Sequence, residues 1–120
     1  MTISAQEHIR WLRNTAPYIN AHRGKTFVLM LGGAVAQHEN FPNIIHDIAL
    51  LNSLGVRLVL IHGSRLQIDQ RLSRAGLDSV FHEGLRITDN AAMEHVKDAA
   101  GSLRAQIEAL LSMGLPNSPM

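Results

Sequence analysis

Apolar residues recur every three or four positions at Ala5, Ile9, Leu12 and Ala16, the spacing of a helix with one apolar face. Ser4 and Glu7 stand at capping-box spacing and mark its start. Pro17 is expected to end or kink it, because proline brings no N–H to the helical ladder. The stretch from Tyr18 to Lys25 is mixed and polar with Gly24 as a turn position, so residues 1–25 read as a helical arm ahead of a domain beginning at Thr26.

The pattern then changes. Thr26 to Leu31 is apolar without alternation, which predicts a strand buried on both faces of a parallel sheet, and Gly32-Gly33 stops it. Asn40 or Glu39 precedes Phe41-Pro42, where proline suits a first helical turn. Ile44, Ile45, Ile48, Leu51 and Leu54 form the stripe of that helix, closed by Gly55. A second apolar run, Val56 to Ile61, completes a βαβ unit, which predicts parallel strands joined by a right-handed crossover.

After His62-Gly63-Ser64-Arg65 a short helix is expected, with Leu66, Ile68, Leu72 and Ala75 buried and Gly76 as its stop. Leu77 to Ile87 reads as irregular or hairpin structure. Thr88 or Asp89 caps a last helix, whose apolar side carries Val96, Ala99, Ala100, Leu103, Ile107 and Leu110. Leu115 to Met120 reads as the opening of a loop. Two strands that need cover on both faces cannot be satisfied by so few helices, so the chain reads as cut short: either more strands follow in the intact polypeptide, or a partner supplies them.

Composition narrows function without naming it. Eleven Lys+Arg against ten Asp+Glu leave a net charge of +1, too little to gather nucleic acid or an anionic membrane. No apolar run approaches the ~20 residues of a membrane span, and the amino terminus lacks a signal-peptide core, so a cytoplasmic location is expected. Without cysteines there is no disulfide, no thiolate metal site and no thiol nucleophile. The histidines show no i, i+4 pair, so no metal site is expected, and His46-Asp47 and His82-Glu83 need not form dyads. Ser64 lacks a nucleophile-elbow context. Met30, Met93 and Met113 are expected in core or helix packing.

Both strands finish in glycine turns, Gly32-Gly33 and Gly63-Ser64, where backbone N–H groups can approach an anion ahead of a helix. A plain turn has the same sequence, and neither turn is a GxGxxG or a P-loop. Arg86, in Gly84-Leu85-Arg86-Ile87-Thr88, is a candidate for gripping a carboxylate through two parallel hydrogen bonds; an exposed hairpin arginine is the alternative.

Met30-Leu31-Gly32-Gly33, His62-Gly63-Ser64-Arg65 and Gly84-Leu85-Arg86-Ile87-Thr88, in that order, resemble the start of the amino acid kinase fold. They are similar to acetylglutamate kinases and, more closely, to bacterial N-acetylglutamate synthases. The likeness to the synthases extends through Pro17 to Asn20, His22 to Phe27, His38 to Phe41 and Leu111 to Met113. The resemblance implies a partial amino acid kinase-like α/β fold over 26–120, a parallel sheet core with flanking helices. In the synthases an acetyltransferase domain follows, taking acetyl-CoA as substrate to acetylate glutamate in the first step of arginine biosynthesis.

The kinases carry lysine where this chain has Met30, and a further glycine pair where it has Ser64 and Arg65. An uncharged thioether cannot balance phosphate charge, so the turns at Met30, Gly32, Gly33, Gly63 and Ser64 read as a degenerate phosphate site. The resemblance implies a regulatory and assembly role: L-arginine as feedback ligand, Tyr18 as the aromatic nominated for it, and a helical arm with Ile9 and Leu12 that interlaces subunits into a hexamer. An arm folded back on its own domain would have the same sequence. No catalytic residue and no cofactor are expected in this part. The rivals are an active acetylglutamate kinase and a stand-alone ligand-binding or assembly module.

Overall fold

The computed structural model describes residues 2–113. Its first helix, α1 (Ala5–His22), is capped as a capping box: Ser4 accepts from the Glu7 N–H at 3.2 Å, while the Ser4 N–H donates to Glu7 at 2.8 Å. The helix does not stop at Pro17 but carries it inside and ends at His22. The carbonyl that loses its N–H partner to Pro17 lies on a helix with no buried residue, where water can take the donor's place.

Gly24, at φ +79°, turns the chain into β1 (Thr26–Leu31). A short 3-10 helix (Gly33–Gln37), absent from the sequence expectation, leads to α2 (Phe41–Ser53). Asn40 is the N-cap residue of α2, yet its Oδ1 accepts from the Asn43 side chain instead of a backbone N–H. Gly55, at φ +92°, releases α2 into β2 (Arg57–His62). The strands pair in parallel, from Thr26 opposite Arg57 to Leu31 opposite His62. Helix α3 (Arg65–Arg74) follows, then the antiparallel hairpin β3 (Val80–His82) and β4 (Leu85–Ile87). Glu83 and Gly84 both have positive φ, as a tight two-residue hairpin turn demands. Asp89 caps α4 (Asn90–Ser112) by accepting from the Ala92 N–H at 2.8 Å.

Helix α4 joins two apolar clusters. Its Leu103 and Ile107 meet Phe41, Ile45 and Ile48 of α2 over Leu29, Leu31, Leu58 and Leu60 of the sheet. Its small residues Ala92 and Ala99 let α3 approach with Ile68 and Leu72.

The helices cover one face of the sheet. On the other, Val28, Met30, Val59 and Ile61 are exposed, so burial on both faces is not met among the described residues. The apolar run in β1 cannot report this, because its sequence is apolar on both sides while its cover must come from elsewhere. For the same reason Met30 is 76% exposed instead of packed. Met93 and Met113 are likewise exposed on α4 and beyond its end, turned away from its buried stripe. Ala75 lies past the last turn of α3 and is exposed, and Leu66 is half-buried. Met1 and the expected loop at Leu115 to Met120 lie outside the described residues.

The radius of gyration is 19.2 Å, against about 14 Å for a compact chain of this length. The excess fits α1, about 27 Å of helix that buries no residue, standing off the body.

Candidate functional site

Parallel pairing with Leu31 opposite His62 brings the two glycine turns side by side. The Gly63 N–H donates to the Leu31 carbonyl at 2.7 Å. Gly33 is buried against this corner: a Cβ there would stand 3.1 Å from the Gly63 carbonyl oxygen, 3.2 Å from the Ser64 Cα, and would collide with the Gln67 side chain. Gln67, from the first turn of α3, donates to the Gly33 carbonyl at 2.6 Å and locks the corner. Gly32, by contrast, faces open space.

The turns therefore meet, as the degenerate-site reading requires, with the Gly63 N–H and the Gly33 carbonyl engaged within the chain. The first turn leads into five residues of 3-10 helix, and α2 begins at Phe41, where the sequence places it. Ser64 is the N-cap residue of α3 without a side-chain cap bond. Met30 points from β1 to the uncovered face and brings no charge to the corner.

Arg86 is held inside the chain. From β4 its Nη2 donates to Asp69 Oδ1 of α3 at 2.7 Å, and its Nη1 donates to Ser79 Oγ at 3.1 Å. Ser79 Oγ donates in turn to Asp69 Oδ1 at 2.8 Å. The Arg86 guanidinium stands 4.7 Å from the centre of the Phe81 ring, its cross-strand partner, and Arg65 stands at 4.7 Å from the same ring. The Arg86 hydrogen bond holds the Asp69 carboxyl below the usual aspartate range; Ser79 and the charges of Arg86 and Arg65 act the same way, against a partial desolvation. So the carboxylate that Arg86 grips is the chain's own, and the grip is single on that carboxylate, with the other nitrogen on a hydroxyl.

Asp69, Ser79, Phe81 and Gln67 were not singled out by sequence. Two signals could have found part of the cluster: Asp69 lies four residues after Arg65 on one helix, and a two-residue turn at Glu83-Gly84 sets Phe81 opposite Arg86. His82 and Glu83 do approach, at 3.8 Å, but both are exposed at the hairpin tip.

Ile9 and Leu12 are exposed on α1, so the arm does not fold its apolar stripe onto its own domain. Tyr18, also exposed, borders a cleft of about 160 Å³ with Ile19, Phe27, Leu51 and Leu54. Tyr18 lies on α1 and Arg86 on β4, and Arg86 does not border the cleft beside Tyr18.

A model of the amino acid kinase family matches residues 25–120. The chain belongs to the amino acid kinase family. Its α/β architecture is part of the fold of that family, and the segment that matches begins where α1 ends. Relatives of this chain include an amino-acid acetyltransferase of Pseudomonas fluorescens (strain SBW25), 60% identical over 95% of this chain and 26% of its own length. One from Azotobacter vinelandii is 58% identical over 96% of this chain and 27% of its own. The chain thus spans about a quarter of the length of these relatives.

Two solved structures are similar in fold. N-acetylglutamate synthase from Neisseria gonorrhoeae complexed with coenzyme A and L-arginine superposes with a TM-score of 0.78 at 32% identity, covering 93% of this chain and 26% of that one. Its complex with coenzyme A and N-acetyl-glutamate gives 0.75 at 35% identity, over 86% and 24%.

Proposed function

We propose that this chain is the amino-terminal part of an N-acetylglutamate synthase, an enzyme that moves acetyl from acetyl-CoA to L-glutamate as the first step of arginine biosynthesis in the cytoplasm. Within it residues 1–25 are an assembly arm and 26–120 the start of a regulatory amino acid kinase-like domain. The observation that carries the reading is 60% identity, over 95% of the chain, to a relative named as an amino-acid acetyltransferase.

The residues support a non-catalytic role. Phosphoryl transfer needs a cation beside the glycine turns, and Met30 supplies none. Arg86 already holds Asp69. The exposed apolar Ile9 and Leu12 suit an arm that packs against other subunits of a homo-oligomer, a hexamer by resemblance. L-arginine is the proposed feedback ligand, with Tyr18 as the contact nominated for it, since the similar gonococcal synthase was solved with L-arginine. Acetyl-CoA is then a substrate of the whole enzyme, with its site outside this chain.

The test is direct. The purified chain with acetyl-CoA releases no CoA in response to glutamate; glutamate-dependent release above background overturns the assignment. ATP-dependent phosphorylation of N-acetylglutamate that survives replacement of Met30 favours the kinase instead. Calorimetric titration of an oligomeric sample with L-arginine should give heat, and a flat trace sinks the regulatory part.

A further inference from the structure

We propose that the outer flank of β2 is an acceptor for one further parallel strand, supplied in trans by a polypeptide that carries the part of the amino acid kinase fold beyond this chain's match. This acceptor role rests on family membership and not on acetyl transfer, so it can fail while the proposed function stands.

The fold selects β2 over β1. Helix α4 lies on the same face of the sheet as α2, since its Leu103 and Ile107 meet Phe41, Ile45 and Ile48 over the strands. The crossover from β1 through α2 steps to β2, and parallel crossovers keep one hand. A second crossover passing through α4 on that same face therefore steps onward, to the far side of β2.

The helix-covered layer is also unfinished there. A cleft of about 250 Å³ runs beside Leu58 and Leu60 of β2, bounded by Ile48 and Ala49 of α2 and by Leu111 of α4. A second, of about 400 Å³, continues past Leu60 and His62 to Ile107 and Leu111, bordered by the Arg104–Glu108 ion pair. No β1 residue borders either cleft. His62, in the wall of the larger one, has a buried Nδ1 without a hydrogen-bond partner among the described residues. A buried polar atom of this kind calls for a partner from outside them.

These clefts define what fits. A strand sends successive side chains to opposite faces of its sheet, so one laid along β2 aims every second side chain at the clefts. Those side chains must be apolar to extend the layer of Leu58 and Leu60, while the others continue the exposed row of Val59 and Ile61. Its main chain pairs with the β2 groups that point away from β1. Longer chains of this fold have the length to supply such a segment: the gonococcal synthase superposes on 93% of this chain with 26% of its own.

The probe is a fluorescently labelled synthetic peptide covering the first apolar run that follows the matching segment in the Pseudomonas fluorescens (strain SBW25) relative. Titrated with the full chain, it should bind saturably by anisotropy, and hydrogen exchange should slow more along Leu58 to His62 than along Thr26 to Leu31. Leu111→Glu puts a charge beside both clefts. It should weaken binding at least about tenfold, the worth of one well-buried leucine. Lysine at one set of alternate peptide positions should abolish binding and lysine at the other set should not, a readout that needs no change in the chain. Absence of saturable binding, protection centred on β1, or equal loss with both lysine peptides overturns the proposal. So does a chain that sediments as a dimer and stays one when the peptide is added, because a second copy then holds the flank.

Discussion

Gly33 and Gly63 lie against each other, the Gly63 carbonyl oxygen standing 3.1 Å from where a Cβ on Gly33 would be. This contact joins the ends of β1 and β2. Gly33→Ala should therefore lose about 1–3 kcal/mol of stability through overpacking against backbone. Gly32→Ala, into open space and at an ordinary extended φ of −68°, should be neutral or slightly stabilising. Urea unfolding of the two variants reads the difference; equal effects would mean that the corner is not close-packed.

Ile45 is fully buried between α2, α4 and the sheet, whereas Ile9 is 50% exposed on α1. The same change to alanine should cost about 2–5 kcal/mol at Ile45 and no more than about 0.5 kcal/mol at Ile9. Denaturant midpoints compare them on the monomeric chain.

Asp69 titrates below the usual aspartate range when folded, chiefly through Arg86, and at its ordinary value when unfolded. The folded state then binds fewer protons, so its contribution to stability is complete above the ordinary aspartate value and is lost as pH falls through the lowered one. Plotted against pH, the unfolding midpoints of the parent and Asp69→Asn should stay apart near neutrality and converge in acid. A gap that persists in strong acid would contradict the ion pair.

Helix α1 buries no residue, so local terms decide its helicity. Ser4→Ala removes the capping box and should cost the helix about 0.5–2 kcal/mol, lowering helical circular dichroism. Pro17→Ala should raise it, since an interior proline disfavours helix by about 3 kcal/mol relative to alanine. No change in either variant would mean that packing against something else fixes this helix.

Met30→Lys places a charge at a position that already faces outward. Stability should shift by no more than about 0.5 kcal/mol, checked by thermal unfolding. A large loss would show that the outward face is covered in solution.

The order of strands and helices was legible because each apolar run is bounded by a residue with one physical use. Gly24 and Gly55 take positive φ, Ser4 and Asp89 cap through their side chains, and Pro42 sits in a first helical turn. Pro17 does not end α1, because on an exposed arm water satisfies the carbonyl left without its N–H partner, although the ring still costs the helix stability. Met30 misled for a different reason: periodicity tells which side chains are apolar and not what stands across from them. At the site, Arg86 stands out in the sequence as a candidate for a carboxylate ligand, but Asp69, the carboxylate it pairs with inside the chain, does not. Asp69 and Arg86 are seventeen residues apart, and only the packing of α3 beside the hairpin joins them.

Among the described residues, the two-stranded sheet leaves a ladder of main-chain donors and acceptors free along the outer flank of β1 and along that of β2, beside an oily patch. Such flanks template their own kind. Purified alone, the polypeptide should be limited in the test tube by how concentrated it is before it is limited by heat, and short charged or proline-bearing peptides that cap the free flanks should keep it dispersed.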